Sequence, residues 1–241
     1  MRYVKDNTGR LHMRPHFEPI ELDRECEQII CAFLKQKYGA VKFPVPTDAL
    51  DVLIEQDAQD LDKYADLSAE GNDVEGVTEF IPGQKPKVKI SARLCESPKL
   101  ENRLRTTLTH EWGHVKFHAP LWLADTMTSD MFGKRPERTS IKCKRDNIFG
   151  ASEYDWMEWQ AGYVCGAVLM PHTRVKAIAR EHFDSIRQRD PLEVTSPAAA
   201  VLIRRIVETF QVSTEAARVR MLKLKILSEV GRGLSLVERG A

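Results

Sequence analysis

The chain has 241 residues, of which 42% are apolar and 29% charged, and its formal net charge is +1. This suits one large soluble domain, or one domain with a small appendage. It excludes a protein that coats nucleic acid or an anionic membrane through its overall charge. No apolar run approaches the ~18 residues of a membrane span.

Residues 1–19 read as a polar arm punctuated by Gly9, Pro15 and Pro19, without the apolar stretch of a signal peptide. A helix is expected from Glu21 to Tyr38, with Leu22, Cys26, Ile29, Ile30, Phe33 and Leu34 at helical spacing and Gly39 ending it. The prolines of Val41–Pro46 keep that stretch extended. Thr47 is placed to cap a second helix, with Leu50, Leu53 and Ile54 facing inward. From Asp57 to Gly76 the chain is acidic and loop-like. Gly76–Ile81 and Pro86–Ser91 then form a hairpin around the Pro82-Gly83 turn, with Val88 and Ile90 on one face. The second of these strands is a candidate edge to which an extended peptide substrate can add.

After Pro98 a long helix carries Leu100, Leu104, Leu108 and Val115 on one stripe. Residues 119–152 form a long connection with a basic stretch from Lys134 to Arg145, read as a lid, a partner-binding loop or a solvated insertion. A helix follows at 154–170 and stops at Pro171. Two more begin at Ser196-Pro197 and at Ser213. There is no internal repeat. Five cysteines (Cys26, Cys31, Cys95, Cys143 and Cys165) lack CxxC spacing and fit a reducing cytoplasm better than a disulfide scaffold.

The sharpest chemical signal is His110-Glu111-Trp112-Gly113-His114 on the third long helix. Residues four apart share a helix face, so both imidazoles can reach one Zn²⁺ at ~2.0–2.1 Å. Glu111 is rotated about 100° from His110, which seats it beside the metal to take a proton from bound water. A catalytic zinc needs a third protein ligand. The extended HExxHxxGxxH pattern does not supply it, because Phe117 and Pro120 stand at its glycine and third histidine. Downstream candidates are Glu153, Asp155, Glu158 and His172, with Cys143 and Cys165 behind them. Glu158 is the best placed. It lies in an otherwise apolar helix, where a buried carboxylate needs a partner, and Ala161, Gly162 and Cys165 on its face are small enough for close helix approach.

The stretch HEWGHVKFH, followed by Glu158-Trp-Gln-Ala-Gly-Tyr-Val-Cys-Gly-Ala-Val-Leu-Met-Pro171, resembles the ImmA/IrrE family of zinc metallo-endopeptidases. That family's second helix looks like E-x-x-A-N-x-F-A-x-x-L-L-M-P. Glu158, Ala161, Leu169, Met170 and Pro171 match it, whereas Gly162, Val164, Cys165 and Val168 depart from it. The segment from Phe210 (FQVSTEAARVRML) and, more weakly, Phe43-Pro-Val-Pro-Thr-Asp48 are also similar, so the resemblance spans about residues 20–230. It implies His110, His114 and Glu158 as ligands of one Zn²⁺ per chain, and Glu111 as general base. Gly162 replaces an asparagine of the family that supports the site from behind.

The resemblance further implies an α+β, mostly helical, zincin-like core at residues 20–190 with a small antiparallel sheet. The insertion at 119–152 lies within this core, and outside it lie the arm at 1–19 and a helical segment at 191–241. By the same resemblance the substrate is a specific cytoplasmic protein, a helix-turn-helix transcriptional repressor, as for relatives in mobile elements and stress responses. His118, Tyr163 and His172 lie near the motifs and are candidate transition-state stabilisers. Two alternatives stand beside this reading. One is a regulatory or toxin-type binding module that keeps the metal without proteolysis. The other is a DNA-binding regulator using Arg204, Arg205, Arg218, Arg220, Lys223 and Lys225, a weaker reading because apolar core positions and Glu208, Glu215 and Glu229 interleave with them.

Overall fold

The computed structural model describes residues 1–8, 11, 13–123, 139–144 and 155–229. The fold is α+β and mostly helical, and it divides into two compact units, Met1–Pro171 and His172–Ala241. That boundary falls earlier than the one at 190/191 expected from the sequence. Among the described residues no helix is long and apolar enough to cross a membrane.

The first unit begins with structure where an arm was expected. Strands β1 (Arg2–Lys5) and β2 (Met13–His16) pair antiparallel. Asp6, at the end of β1, accepts hydrogen bonds from the Thr8 and Leu11 amides, both at 3.0 Å, and from the Trp156 indole at 3.1 Å. Helix α1 (Pro19–Tyr38) starts two residues before the expected position, in a capping box between Glu18 and Glu21. Leu22, Cys26, Ile30 and Leu34 face the core. Gly39 ends it at φ 75°, the left-handed conformation that a residue with a Cβ resists. Helix α2 (Thr47–Asp57) is capped by Pro46 in extended conformation, not by Thr47, whose hydroxyl bonds Glu101 instead.

The central sheet runs β3 (Asp60–Ala65), β5 (Lys87–Ser91), β4 (Val74–Phe80), β6 (Thr139–Lys144). The hairpin expected from the sequence is β4–β5, with Gly76 opposite Ile90 and Thr78 opposite Val88. Two strands were not foreseen. Strand β3 lies in the acidic segment read as a loop and pairs parallel to β5, so the sheet is mixed where an antiparallel one was expected. Strand β6 pairs antiparallel with β4 and belongs to the 119–152 connection. Residues 124–138 and 145–152 of that connection lie outside the described residues.

Strand β5 is therefore flanked on both sides, and Val88 and Ile90 are wholly buried. This corrects the expectation of a substrate edge there. A strand whose amides and carbonyls already serve two neighbours has none left for a peptide.

A short helix, α3 (Ala92–Cys95), leads toward α4 (Glu101–Gly113), which continues through a π-helical turn at His114–His118. Helix α4 packs against α2, β4 and α5 (Trp156–Leu169). Its contact with α5 is close because Gly113 faces Ala161: a Cβ at 113 would come within 3.1 Å of the Ala161 Cα. A second apolar cluster gathers Phe80, Trp122, Ile141, Trp156 and Met157, with Phe80 and Trp122 stacked at 4.2 Å between ring centres. Glu75 on β4 is also wholly buried, and Arg93 and Arg103 neutralise it.

The second unit comprises α6 (His172–Ser185), α7 (Pro197–Phe210), α8 (Thr214–Lys223) and a two-residue parallel pairing of β7 (Leu192–Glu193) with β8 (Leu227–Ser228). Ser196 and Ser213 cap α7 and α8 through the Ala199 and Ala216 amides, where the sequence places both helix starts. Leu202, Ile206, Phe210, Val212, Ala217 and Met221 form its interior.

Candidate metal centre

Helix periodicity brings His110 and His114 to one face of α4, and the Gly113–Ala161 contact brings α5 close enough for Glu158 to meet them. The Nε2 atoms of the two histidines lie 3.1 Å apart. Glu158 Oε1 is 3.1 Å from His114 Nε2, and Oε2 is 3.4 Å from His110 Nε2. All three residues are buried. Among the described residues this is the one set of three metal-type side chains that converges.

The donor set fits a metal. Ligand atoms ~2.0–2.1 Å from a tetrahedral ion are roughly 3.3 Å from one another, close to the separations seen here. The Glu158 oxygens sit within contact of both imidazoles, yet neither meets the geometry of a hydrogen bond. The two Nε2 atoms and the Glu158 carboxylate thus converge on one centre. Two nitrogens and a carboxylate oxygen form a donor set compatible with zinc.

Burial favours the neutral form of Glu158, but the adjoining imidazoles outweigh it and hold the carboxyl well below the usual carboxylate range. Burial likewise opposes charge on His114, and Glu158 beside it reverses the balance and raises its pKa.

Glu111 is fully buried next to this set. Burial pushes its carboxyl up, against the pull of His114, His110 and a hydrogen bond from Thr78. The Thr78 hydroxyl, on β4, donates to Glu111 Oε2. The other oxygen, Oε1, lies over Gly76 two residues earlier on the same face of the strand: a Cβ at 76 would come within 2.3 Å of it. Sequence reading did not single out Gly76 or Thr78. The available signal was an isolated glycine at the head of a strand pattern, which marks close approach of another group.

His118 lies one turn beyond His114 with its Nδ1 3.0 Å from His114 Nδ1, and its Nε2 is 3.1 Å from Gln160 Oε1. Burial pushes its pKa far below the usual value. Both nitrogens being engaged, His118 has no group left for substrate, which corrects its candidacy as a transition-state stabiliser. The Tyr163 hydroxyl donates to Asp23 on α1 at 2.9 Å and is likewise occupied in holding α1 to α5. His172 opens the second unit. Of the other candidate ligands, Asp155 stands at the N-cap position of α5, outside the converging set, and the Cys165 thiol donates to the Thr106 carbonyl at 3.5 Å. Glu153 and the Cys143 side chain lie outside what the structure describes.

The basic residues of the C-terminal helices do not form a free patch. Arg220 is buried, Arg205 contacts Glu181 and Arg218 contacts Glu215. Salt bridges and burial thus remove three of the six cations on which a DNA-binding surface would rest.

Residues 94–222, just over half of the chain, match the model of a peptidase family described as the IrrE N-terminal-like domain. No curated protein matches the chain.

Proposed function

The chain belongs to the IrrE N-terminal-like family of metallopeptidases, and from that premise we propose that it is a zinc-dependent endopeptidase acting on a specific cytoplasmic protein, a helix-turn-helix transcriptional repressor. The observation that carries this reading is the convergence of His110, His114 and Glu158 beside a buried Glu111. A module that merely bound metal would have no chemical need for a second carboxylate next to the ligands. The repressor as substrate rests on the resemblance of the two motif helices to the ImmA/IrrE pattern.

In this proposal His110 and His114 through Nε2, together with the Glu158 carboxylate, hold one Zn²⁺. When bound, the ion would supply Lewis acidity for hydrolysis. Glu111 does the proton work. Its carboxylate accepts the proton of the attacking water and later delivers it to the departing amine. Thr78 fixes one carboxylate oxygen, and Gly76 leaves room for the other, so the base is held in one rotamer with a single oxygen available. Burial raises the basicity of that oxygen, as a base working near neutral pH requires.

Elemental analysis of the purified protein, alongside His114→Ala and Glu158→Ala, tests the metal. About one zinc per chain, lost in both variants, is expected. Incubating the protein with candidate repressors and reading fragments by mass spectrometry tests the chemistry, with Glu111→Gln as control. Cleavage by the wild type and none by Glu111→Gln is expected. A Glu111→Gln variant that cuts as the wild type does would overturn the proposal.

A further inference from the structure

We infer that His118, Gln160 and the backbone carbonyl of Pro15 form a hydrogen-bond relay that fixes the tautomer of His114 and so presents its Nε2 lone pair to the metal. The inference deepens the proposed function and rests on His114 being a metal ligand.

The relay runs inward from the N-terminal hairpin. The Pro15 carbonyl can only accept, and Gln160 Nε2 lies 3.1 Å from it. The amide of Gln160 is thereby oriented, with Oε1 turned to His118. Oε1 also only accepts, so His118 Nε2, at 3.1 Å, carries the hydrogen. His118 is wholly buried, with a tryptophan edge at 5.3 Å between ring centres and neither nitrogen against a carboxylate. A second proton there would be a buried charge without a partner. Its Nδ1 is therefore a lone pair. His114 Nδ1 faces that lone pair at 3.0 Å and must donate to it. With that hydrogen on Nδ1, His114 turns its Nε2 to the point shared with His110 Nε2 and Glu158 Oε1, where it can offer a lone pair to a metal.

Each step is forced by a group that can act in only one sense, and the sequence of forced steps ends on a carbonyl, which needs nothing further to orient it. His118 and Gln160 are thus positioning residues. The π-helical turn at His114–His118 holds the two imidazoles tilted at 57° to one another with their Nδ1 atoms facing. The relay's outer end lies in β2, outside the residues 94–222 that match the family model. The hairpin thereby becomes part of the metal site.

The relay is tested first on the unaltered chain. Long-range ¹H–¹⁵N spectra of histidine-labelled protein at pH 8, zinc-free and zinc-loaded, should show His118 protonated on Nε2 in both states. A His118 proton on Nδ1 overturns the relay. Zinc affinity is then measured by competition with a chromogenic chelator. His118→Leu and Gln160→Met should bind zinc about 10- to 100-fold more weakly, the cost of losing the group that orients a ligand. His118→Asn, whose side-chain oxygen falls near the original Nδ1, should recover most of that loss. Leu and Met variants that fold, as judged by thermal unfolding, and bind zinc as the wild type does overturn the inference. Wild-type protein that takes up no zinc overturns the proposed function instead, and the His118 tautomer still decides the relay.

Discussion

Replacing Gly76 with alanine should disable Glu111, the proposed general base, without touching the proposed metal ligands. The new Cβ would lie 2.3 Å from Glu111 Oε1, 2.8 Å from Cδ and 3.0 Å from Cγ, whereas ordinary contact begins near 3.4 Å. The carboxylate must therefore withdraw by about 1 Å. Strand β4 cannot yield in its place, because Gly76 is paired to Ile90 on one side and Cys143 on the other. A displacement of this size at a reacting group costs on the order of 100-fold in rate, or about 2.7 kcal/mol of barrier. The comparison is kcat and KM of wild type and Gly76→Ala on the substrate found by the cleavage screen, with zinc content and thermal unfolding measured alongside. The expected result is a kcat lower by about two decades with zinc content unchanged, since the clash involves Glu111 and not the three ligands. Thr78→Val, which removes the donor but adds no obstruction, should also lower kcat, by at most roughly the 1.5–3 kcal/mol of a hydrogen bond to a charged group. A folded, zinc-replete Gly76→Ala variant with wild-type kcat would refute the reasoning, because Glu111 would then not rest on β4 during turnover.

Gly113→Ala should force α4 and α5 apart, since the added Cβ meets the Ala161 backbone at 3.1 Å. A loss of about 1–3 kcal/mol in stability and weaker zinc binding are expected, read by denaturant titration and chelator competition. An unchanged zinc affinity would show that the close approach of the helices is not what places Glu158. Trp122→Ala removes a buried ring stacked on Phe80 and should destabilise the first unit by about 3–5 kcal/mol in calorimetry. Asp6 ties the N-terminal hairpin to Trp156. Burial pushes its carboxyl up, yet the hydrogen bonds from Thr8, Leu11 and Trp156 together prevail and lower it. Because the folded-state value is the lower one, this contribution is complete above the unfolded carboxyl's pKa of about 3.9 and is lost as pH falls through the folded value. Asp6→Ala should cost about 1–3 kcal/mol at neutral pH and nothing extra in strong acid, as measured by urea titrations at pH 7 and below pH 3. An equal cost at both pH values would rule out the charge as the source.

What could be read from the sequence was what helical periodicity writes into it. The HExxH spacing places His110 and His114 on one face whatever surrounds them, and Glu158 stood out as a carboxylate in an apolar helix. By the same argument Gln160 deserved equal notice. It too is polar, buried and two residues away, and a buried amide needs partners as a carboxylate does. Its partners were invisible because they are a backbone carbonyl in a segment read as an arm and a histidine read as a catalytic candidate. Strand β3 escaped for a different reason. Asp60, Asp62 and Tyr64 are the residues of an edge strand, charged and polar on the open side, and in sequence such a pattern looks like a loop. The hairpin β1–β2 was hidden by Pro15, which ladder pairing disfavours, and it is held in place largely through Asp6.

The motif is therefore only the inner half of the site. HExxH supplies two imidazoles and a carboxylate on one helix, but an imidazole has two nitrogens and a carboxylate can turn freely, so the helix alone leaves their working states open. Residues from elsewhere close those choices. Thr78 and Gly76 on the central strand settle which way Glu111 faces. His118, Gln160 and Pro15 settle which nitrogen of His114 is bare. The two constraints act from different sides of the first unit, one from the sheet and one from the N-terminal hairpin, and they share no residue. Changes in one should therefore alter catalysis and changes in the other metal affinity, with the two effects combining additively in a double variant such as Gly76→Ala with Gln160→Met. Strong coupling between them would mean that a single element, the α4 backbone itself, governs both, and that sheet and hairpin only follow it.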